Sequence, residues 1–232
     1  MSQISVIIPV YNGALFIQQA LDSIQQQAVL IQEVIVVDDG STDRTAEIVE
    51  QHPIVTHYHF QQNRGPQYAR SKGLELSTGD IITFLDADDV WAERKLSIQL
   101  KRISQYDIII GYSRILEAES PSFLFLNLAA ALFKRKVFHQ LGGFDTTFLT
   151  NDDLDFFFRA REEGIKILVH EELVLYHRRH PQNLTRMRAD QNGKELLQRL
   201  QQSLQRRRKT GKFHQKQFSE FREKNKNGNF SE

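Results

Sequence analysis

The chain has 232 residues, of which 40% are hydrophobic, and this is enough for one large domain or for a domain with an appendage. It contains no cysteine, which excludes disulfides and thiolate metal sites and suits a reducing compartment. Its longest apolar stretch, residues 123–133, is far shorter than a membrane-spanning helix, and residues 4–10 are too short and lack the basic flank of a secretion signal. We therefore expect a soluble, cytoplasmic protein.

The formal net charge of +1 hides an asymmetry along the chain. Residues 1–177 carry 15 basic and 24 acidic side chains, a net of −9, whereas residues 178–232 carry 15 basic and 5 acidic ones, a net of +10. An acidic body with a basic tail indicates a cation-binding domain followed by a segment attracted to an anionic partner. A solvated tail without a partner is the alternative.

The first 111 residues alternate short apolar runs with amphipathic patterns. Strands are predicted at residues 4–10, 33–37, 54–60, 80–85 and 107–110, and helices at residues 14–27, 42–51, 66–76 and 91–104. One face of the first helix is predicted to carry its apolar residues, Leu15, Phe16, Ala20, Leu21 and Ile24. This alternation predicts an α/β fold with a mainly parallel, twisted sheet flanked by helices.

From about residue 112 the alternation weakens. A helix is predicted over residues 151–163, with Asn151 as its N-cap and Gly164 as its stop. One side of that helix is predicted to be formed by Leu154, Phe157, Phe158 and Arg161. Short strands are predicted at residues 165–169 and 173–176.

The basic tail contains one further helical pattern. Residues 190–208 are predicted to form a polar helix with a narrow apolar seam, made by Leu196, Leu197, Leu200 and Leu204. Beyond Thr210 the polar composition predicts fraying or disorder.

The most informative feature is a cluster of three carboxylates, Asp86, Asp88 and Asp89, directly after the apolar run of residues 81–85. Held about 5 Å apart at an effective dielectric near 20, each carboxylate pair repels by roughly 3 kcal/mol. A bound divalent cation would cancel this repulsion, and Mg²⁺ and Mn²⁺ prefer oxygen ligands. The alternative is an acidic turn in which Asp88 or Asp89 caps the following helix.

Two other predicted strands also end in polar residues, at 9–13 and at 38–43. The carboxyl ends of parallel strands lie at one edge of a sheet, where open α/β folds bind ligands, so we expect these tips to meet the carboxylate cluster. The sequence has neither a G-x-G-x-x-G nor a Walker A pattern, which disfavours the dinucleotide and P-loop modes of binding.

Four motifs occur in an order that resembles the family 2 inverting glycosyltransferases. They are the segments at residues 6–12, 36–43, 63–89 and 141–155, and the likeness covers roughly residues 3–185. The resemblance implies a GT-A type nucleotide-sugar-binding fold and transfer of a sugar from a nucleoside diphosphate, with inversion. A sugar nucleotidyltransferase is a rival, but it lacks support because no glycine-rich basic loop lies near the N-terminus.

The resemblance also implies a donor site. Asp88 would hold Mn²⁺ or Mg²⁺, and Asp86 would assist through the ribose or through a metal-bound water. Asp89 would support this site from behind or cap the next helix. Asp39 matches the residue that accepts a hydrogen bond from the imide N–H of a base, which suits uracil or thymine, and Asp38 beside it would be structural.

Three residues of the first strand tip are implied to shape the nucleotide pocket: Pro9, Tyr11 and Asn12. Tyr11 is equally suited to a core position. Arg70 would reach a phosphate or pair with an acidic side chain.

The general base is implied at Asp153, in the first turn of the helix predicted over residues 151–163. Inverting displacement needs one carboxylate that takes the proton of the acceptor hydroxyl, and a helix N-terminus keeps such a group ionised. The residue before it is Asp152, where the family usually has glutamate, and this shorter arm would alter acceptor contacts. The Gln-x-x-Arg-Trp signature of processive synthases is absent, which favours addition of a single sugar.

The segment at residues 176–185 resembles the closing stretch of the family. Either His177 or His180 would complete the metal site, and His180 is favoured. Arg178 or Arg179 would contact the diphosphate, because a guanidinium binds such groups bidentately. A structural role for each of these side chains is the alternative.

We therefore predict a UDP-sugar-dependent transferase with a catalytic domain at residues 1–185 and a basic helical extension at residues 186–232. The domain would comprise a nucleotide-binding half, 1–111, and an acceptor half, 112–185. Its acceptor would be a carbohydrate or a lipid-linked molecule, and no nucleic acid would bind. The basic tail suggests peripheral contact with the inner face of a membrane, or a homo-oligomer. A non-catalytic nucleotide-sugar-binding module is the alternative function.

Overall fold

The computed structural model describes residues 2–145, 152–181, 183 and 189–210. Within these ranges the strands are β1 (Ile4–Val10), β2 (Glu33–Asp38), β3 (His57–Phe60), β4 (Ile81–Phe84), β5 (Val90–Trp91), β6 (Ile108–Ile115), β7 (Ala131–Lys134) and β8 (Ile167–His177). The helices are α1 (Ile17–Gln25), α2 (Thr45–Gln51), α3 (Pro66–Leu76), α4 (Lys95–Leu100), α5 (Lys136–Leu141), α6 (Asp152–Glu162) and α7 (Ala189–Thr210), with a 3₁₀ turn at Leu128–Ala130.

All the described strands belong to one sheet, in the order β3-β2-β1-β4-β7-β6-β8-β5. The first four are mutually parallel, and Ile7 of β1 lies between Ile35 of β2 and Phe84 of β4. Every residue of β1 and β2 is buried, as expected for strands covered by helices on both faces. The predicted α/β fold is confirmed, and this parallel half brings the tips of β1, β2 and β4 to one edge.

The second half of the sheet is mixed, which the sequence did not indicate. Strand β7 runs antiparallel to both β4 and β6, while β6 and β8 are parallel. The prediction of two short strands at 165–169 and 173–176 was wrong, because β8 is continuous from Ile167 to His177. Shifts in its register against β6, on either side of Tyr112, keep both strands paired across the exposed residues Glu171 and Glu172.

The prediction of a helix over residues 91–104 was also wrong at its start. Trp91 pairs with Leu175 in strand β5, and its indole nitrogen donates a hydrogen bond to Ala129 O. Helix α4 begins only at Lys95, a fully buried lysine whose Nζ donates to Thr83 Oγ1 at 3.0 Å and to two further oxygens. Burial holds the pKa of this lysine well below its usual value.

The predicted apolar faces of two helices are confirmed only in part. In α1, Ala20, Leu21 and Ile24 are buried as predicted, and Ile17 is buried with them. Leu15 and Phe16 precede the helix, and Leu15 is 80% exposed. In α6, Phe156, Phe157 and Ala160 are buried, and the two phenylalanine rings pack against the cluster of Phe84, Phe133, Phe138 and Phe144. Of the predicted side, Phe157 is therefore in the core, whereas Leu154, Phe158 and Arg161 are only half-buried.

Helix α6 ends as predicted, and α7 packs against it. Gly164 adopts a left-handed φ of +71°, and the Ile165 N–H closes the turn on Ala160 O. The predicted cap Asn151 and the tail beyond Thr210 lie outside the described residues. Among the α7 side chains that the structure describes, Arg199 and Ser203 are buried and Leu196 is half-buried, whereas Leu197, Leu200 and Leu204 of the predicted seam are exposed. No helix within the described ranges is long and apolar enough to cross a membrane.

Candidate functional site

The tips of β1 and β2 are tied together by Asn12. This residue has a left-handed φ of +48°, its side-chain oxygen accepts a hydrogen bond from Thr42 N at 2.8 Å, and its own N–H donates to Ser41 Oγ at 2.8 Å. Asparagine tolerates this backbone conformation better than most residues. Pro9 is buried within β1, opposite Val37, whereas Tyr11 is 55% exposed at the edge and not in the core.

Asp38 has a structural role, because both of its carboxylate oxygens accept hydrogen bonds from within the protein. It is fully buried, accepts a hydrogen bond from Ser41 N at 2.7 Å through one oxygen, and accepts another from the Tyr58 hydroxyl at 2.8 Å through the other. Burial, together with this bond to Asp38, raises the pKa of Tyr58. Asp38 therefore fixes the loop that carries its neighbour.

That neighbour, Asp39, lies at the same edge and is 3% exposed. Its Oδ1 accepts hydrogen bonds from Gln61 Nε2 at 2.7 Å and from Arg64 N at 2.9 Å, and its Oδ2 accepts one from Gly65 N at 2.7 Å. Gly65 precedes α3 with a φ of +99°, a conformation that favours glycine. A carboxylate has about four acceptor positions, so these three donors leave one for a further N–H.

Asp86 forms an ion pair with Arg70. The distance between Arg70 Nη2 and Asp86 Oδ1 is 2.6 Å, and Arg70 is buried on the first half of α3. Of the two roles predicted for Arg70, the structure places it in contact with an acidic side chain. Asp86 itself is partly exposed, at 27% of its side-chain surface.

Asp88 lies against residues from the segment after β8. Its Oδ2 is 2.9 Å from His180 Nε2 and 2.8 Å from Asn183 Nδ2, and the Asp88 and His180 side chains are 27% and 15% exposed. The other ring nitrogen of His180 is buried and has no hydrogen-bond partner among the residues that the structure describes. The Phe16 ring packs on the imidazole with centroids 4.6 Å apart.

These contacts bear on the predicted metal site. A carboxylate oxygen and an imidazole nitrogen form a donor set that suits Mn²⁺ or a similar cation. Across the described ranges, no three His, Asp, Glu or Cys residues form a group that could hold a metal ion. Asp88 and His180 offer two donor atoms of the right chemistry, and an ion held between them would need its remaining ligands from substrate and water.

Asp89 supports the site from behind. It is 1% exposed, contacts His177 Nδ1 at 3.0 Å and accepts a hydrogen bond from Arg178 N at 2.9 Å, so it ties the tip of β4 to the end of β8. Burial raises the pKa of Asp89 to about 6 against the opposing effect of His177, and nearby Asp88 adds to the rise. Although burial lowers it, the pKa of His177 is raised by the bond and charge of Asp89.

The capping alternative for the carboxylate cluster is not what the structure has. Strand β5 follows the cluster, and α4 begins after Arg94 without a side-chain cap. Of the candidate histidines, His177 contacts Asp89 and His180 contacts Asp88.

Arg178 braces this end of the site. Its Nε donates to Asp88 O at 2.9 Å, its guanidinium contacts Gln19 Oε1, and it lies 5.0 Å from the centroid of the Phe16 ring. Arg179 is exposed. Gln19 of α1 and Phe16 before it thus contact Arg178, whose guanidinium is bonded to the backbone of Asp88.

Asp153 lies in the first turn of α6 and is half-buried. Its Oδ2 accepts a hydrogen bond from Leu128 N at 3.1 Å, at the start of the 3₁₀ turn that Asn127 caps. This turn contacts both β4 and β8, the strands that carry the Asp88 and His180 segments. The chain therefore ties a carboxylate in the first turn of α6 to a turn that packs against these two strands.

Sequence reasoning missed several residues that build the site. Asn183 and Gln61 hold Asp88 and Asp39 through their amides, and the backbone N–H of Leu128 orients Asp153. Phe125, 41% exposed, lies beside the His177 ring with centroids 5.7 Å apart. Asn183 could have been found from the sequence, because it is a polar residue three positions after His180. Contacts made by the backbone or by distant loops leave no signal in the sequence.

Known proteins resemble this chain in sequence and in fold. The sequence model of the family described as glycosyl transferase family 2 matches residues 5–166. A relative in Haemophilus influenzae, named an uncharacterized glycosyltransferase, is 40% identical over 116 residues, which cover 48% of this chain and 46% of the relative. The chain thus spans about half the length of that relative.

Two solved structures share the fold. S. aureus TarS 1–349 in complex with UDP-GlcNAc superposes with a TM-score of 0.69 at 22% identity, covering 77% of this chain and 59% of that one. The mannosyltransferase PcManGT from Pyrobaculum calidifontis, in complex with GDP-Man and Mn²⁺, gives a TM-score of 0.63 at 25% identity, covering 75% and 56%. Because the family match extends over more than half of its residues, the chain belongs to glycosyl transferase family 2.

Proposed function

We propose that this protein transfers one sugar from a nucleoside diphosphate sugar, with UDP as the nucleotide, to an acceptor hydroxyl by a single inverting displacement. The observation that carries the proposal is the position of Asp153, on the first turn of α6 and hydrogen-bonded to Leu128 N in a turn that contacts β4. Asp153 would act as the base from α6, an element other than the β4 tip that carries Asp86, Asp88 and Asp89. Inversion needs a base on the side opposite the leaving group, because the acceptor attacks from that side.

In the chemical step one proton is transferred, one bond forms and one bond breaks. Asp153 takes the proton of the acceptor hydroxyl as the acceptor oxygen bonds to the anomeric carbon of the donor. The bond from that carbon to the diphosphate breaks, and its electrons leave with the nucleoside diphosphate. The helix N-terminus stabilises the ionised form of Asp153, and the Leu128 N–H fixes the orientation of its carboxylate.

The donor is proposed to lie along the tips of β1, β2 and β4. Asp39 would accept the imide N–H of uracil at its remaining acceptor position, and the exposed ring of Tyr11 would face the base. Asp88 and His180 would hold a divalent cation, Mn²⁺ or Mg²⁺, which would neutralise the charge that develops on the diphosphate. Asp86 would assist, with Arg70 holding it in place.

We further propose that residues 1–111 form the nucleotide-binding half and residues 112–185 the acceptor half. The absence of the processive signature favours addition of a single sugar. The acceptor would be a carbohydrate or lipid-linked molecule, reached by a protein that associates peripherally with the inner face of a membrane through its basic segment, residues 186–232.

The test is the variant Asp153→Asn, assayed for release of UDP from a panel of UDP-sugars with Mn²⁺. Loss of the base should lower turnover by about 10²–10⁴-fold, while calorimetric binding of UDP stays unchanged. Glu163→Gln, just beyond the other end of α6, serves as the matched control and should behave as the unmodified protein. Normal turnover by Asp153→Asn would remove this residue from the role of base.

A further inference from the structure

Helix α7 is held against α6 by its charged side. Arg199 is completely buried with its Nη1 3.6 Å from Asp155 Oδ1, and Arg206 Nε lies 2.6 Å from Glu162 Oε2. Ser203 donates a hydrogen bond to Glu162 as well. A surface helix normally buries its apolar face. Here the face of α7 that packs against α6 is the one that carries Arg199 and Arg206, because these arginines pair with Asp155 and Glu162.

The consequence is an exposed stripe of leucines, which we call the leucine face. It consists of Leu197, Leu200 and Leu204, at 62%, 40% and 50% exposure. The spacing of three and four residues places them in one line along the helix. Single exposed leucines elsewhere, such as Leu30 at 80%, are ordinary on protein surfaces, whereas a line of three on one helix marks a contact surface.

The surroundings of the leucine face are basic. Arg208 is exposed one turn beyond Leu204, so it extends the same line. By sequence, residues 208–232 add seven basic and three acidic side chains, and the whole segment from residue 178 carries a net charge of +10. An apolar stripe beside basic residues is the pattern of helices that lie in the interface of a membrane with anionic lipids.

A second copy of the chain is a poorer fit to this surface. Three partly exposed leucines present a few hundred Å² at most, whereas a stable dimer needs roughly 800 Å² from each partner. Two copies would also bring their basic segments together, and like charges repel. An anionic lipid surface has neither problem, because it offers opposite charge and needs only shallow burial.

We propose that the leucine face of α7 is the surface that contacts an anionic lipid bilayer, with Leu197, Leu200 and Leu204 inserted at the headgroup boundary. This inference rests on the peripheral location proposed above and names the residues that make the contact. Three leucines bury less apolar area than one acyl chain, which alone gives only marginal binding. The contact therefore depends on both apolar burial and charge, and it weakens as salt rises.

The experiment is flotation of the full chain with vesicles of phosphatidylcholine alone, and of phosphatidylcholine with 30% phosphatidylglycerol, at low and high salt. The unmodified protein should float with the anionic vesicles and stay behind with the neutral ones. The triple variant L197Q/L200Q/L204Q should lose at least about tenfold in bound fraction, with an unchanged thermal unfolding midpoint. Glutamine keeps the helix propensity of leucine nearly intact, and Leu30→Gln is the matched control that should float normally.

The outcomes separate this inference from the proposals on which it rests. Flotation of the triple variant at the level of the unmodified protein would overturn the leucine face while leaving peripheral binding to the basic tail. Failure of the unmodified protein to float would overturn both. Self-association without vesicles, abolished in the triple variant while flotation stays intact, would assign the face to a second copy instead. UDP-sugar turnover without vesicles should be equal in all these variants, so the catalytic proposal is tested independently.

Discussion

The ion-pair network between α6 and α7 predicts that Asp155→Asn destabilises the protein strongly. Asp155, 1% exposed, lies 2.7 Å from Arg159 Nε, 3.6 Å from Arg199 Nη1 and 3.4 Å from Arg206 Nη2. Replacing the carboxylate by an amide of the same size removes the charge but leaves the packing. It therefore isolates the electrostatic contribution of this residue.

The loss of stability expected for Asp155→Asn depends on which arginine partners of Asp155 can be hydrated after the change. At 3.6 Å and an effective dielectric near 20, one such pair attracts by roughly 5 kcal/mol before desolvation is counted. Arg159 and Arg206 are partly exposed and can rehydrate. Arg199 is fully enclosed, so it would lose the nearer of the carboxylates of Asp155 and Asp145, at 3.6 Å and 3.9 Å, without gaining water in its place. Removal of one partner from a buried pair costs about 3–5 kcal/mol.

The reverse substitution should cost less. Arg199→Met keeps most of the apolar stem, and Asp155 retains Arg159 and Arg206 after the change. We expect a loss of about 1–2 kcal/mol. This asymmetry between two residues of one pair is the distinctive part of the prediction, because a simple count of lost contacts would make the two losses equal.

The assay is urea unfolding followed by circular dichroism, with stability taken from the midpoint and slope. Asp155→Asn should lower the midpoint by about 1–2 M and Arg199→Met by less. Glu47→Gln is the matched control, because it breaks an equally short contact with Arg44 on the exposed surface of α2 and should leave the midpoint unchanged. An Asp155→Asn midpoint within error of the unmodified protein would refute the reasoning.

Two further predictions concern the sheet and the metal. Burial raises the pKa of Glu33, but hydrogen bonds from Ser5 and Thr78 outweigh this effect and hold the pKa below its usual 4.5. The stability that Glu33 contributes is therefore present above pH 4.5 and is lost as the pH falls through the pKa of the folded protein. Glu33→Gln should cost about 1–2 kcal/mol at pH 7 and show a shallower loss of stability between pH 5 and pH 3, measured by urea unfolding; equal slopes would contradict this. In calorimetry, UDP should bind more tightly when Mn²⁺ is present. Asp88→Ala should abolish this gain in affinity, whereas the control Asp80→Ala, at the far end of β4, should keep it. Equal affinity of the unmodified protein for UDP with and without metal would exclude the metal role.

The parallel half of the fold was predictable because one physical signal dominates it. Buried parallel strands are continuously apolar, so β1 and β2 were placed to within one residue from sequence. Lys95 shows where this approach ends. Hydrophobic patterning assigns a lysine to solvent, but here Nζ is enclosed by Thr83, Gln99 and a backbone carbonyl, and the first and last of these belong to strands of the sheet.

In the candidate site, too, some residues were predictable from sequence and others were not. The strand tips that carry Asp39 and Asp88 were expected to share an edge because parallel strands end there, and the family resemblance then singled out these two carboxylates. The partners that orient them were not, since Gln61 and Asn183 lie in irregular segments whose course depends on the completed fold. Sequence therefore predicted the groups proposed for the chemistry more readily than the groups that position them.

Helix α7 shows why a helix with two distinct faces is ambiguous from sequence alone. Its leucine face alone predicts packing on an apolar core, yet Arg199 occupies the buried position and Leu204 remains exposed. The choice is made by α6, because buried Asp155 and Glu162 would be costly without cations beside them. Two carboxylates on one helix thus decide which face of the next helix meets solvent, and the leucines left outside become available for a partner. The same contact that stabilises the helix bearing Asp153 thereby creates the surface proposed to meet the lipid.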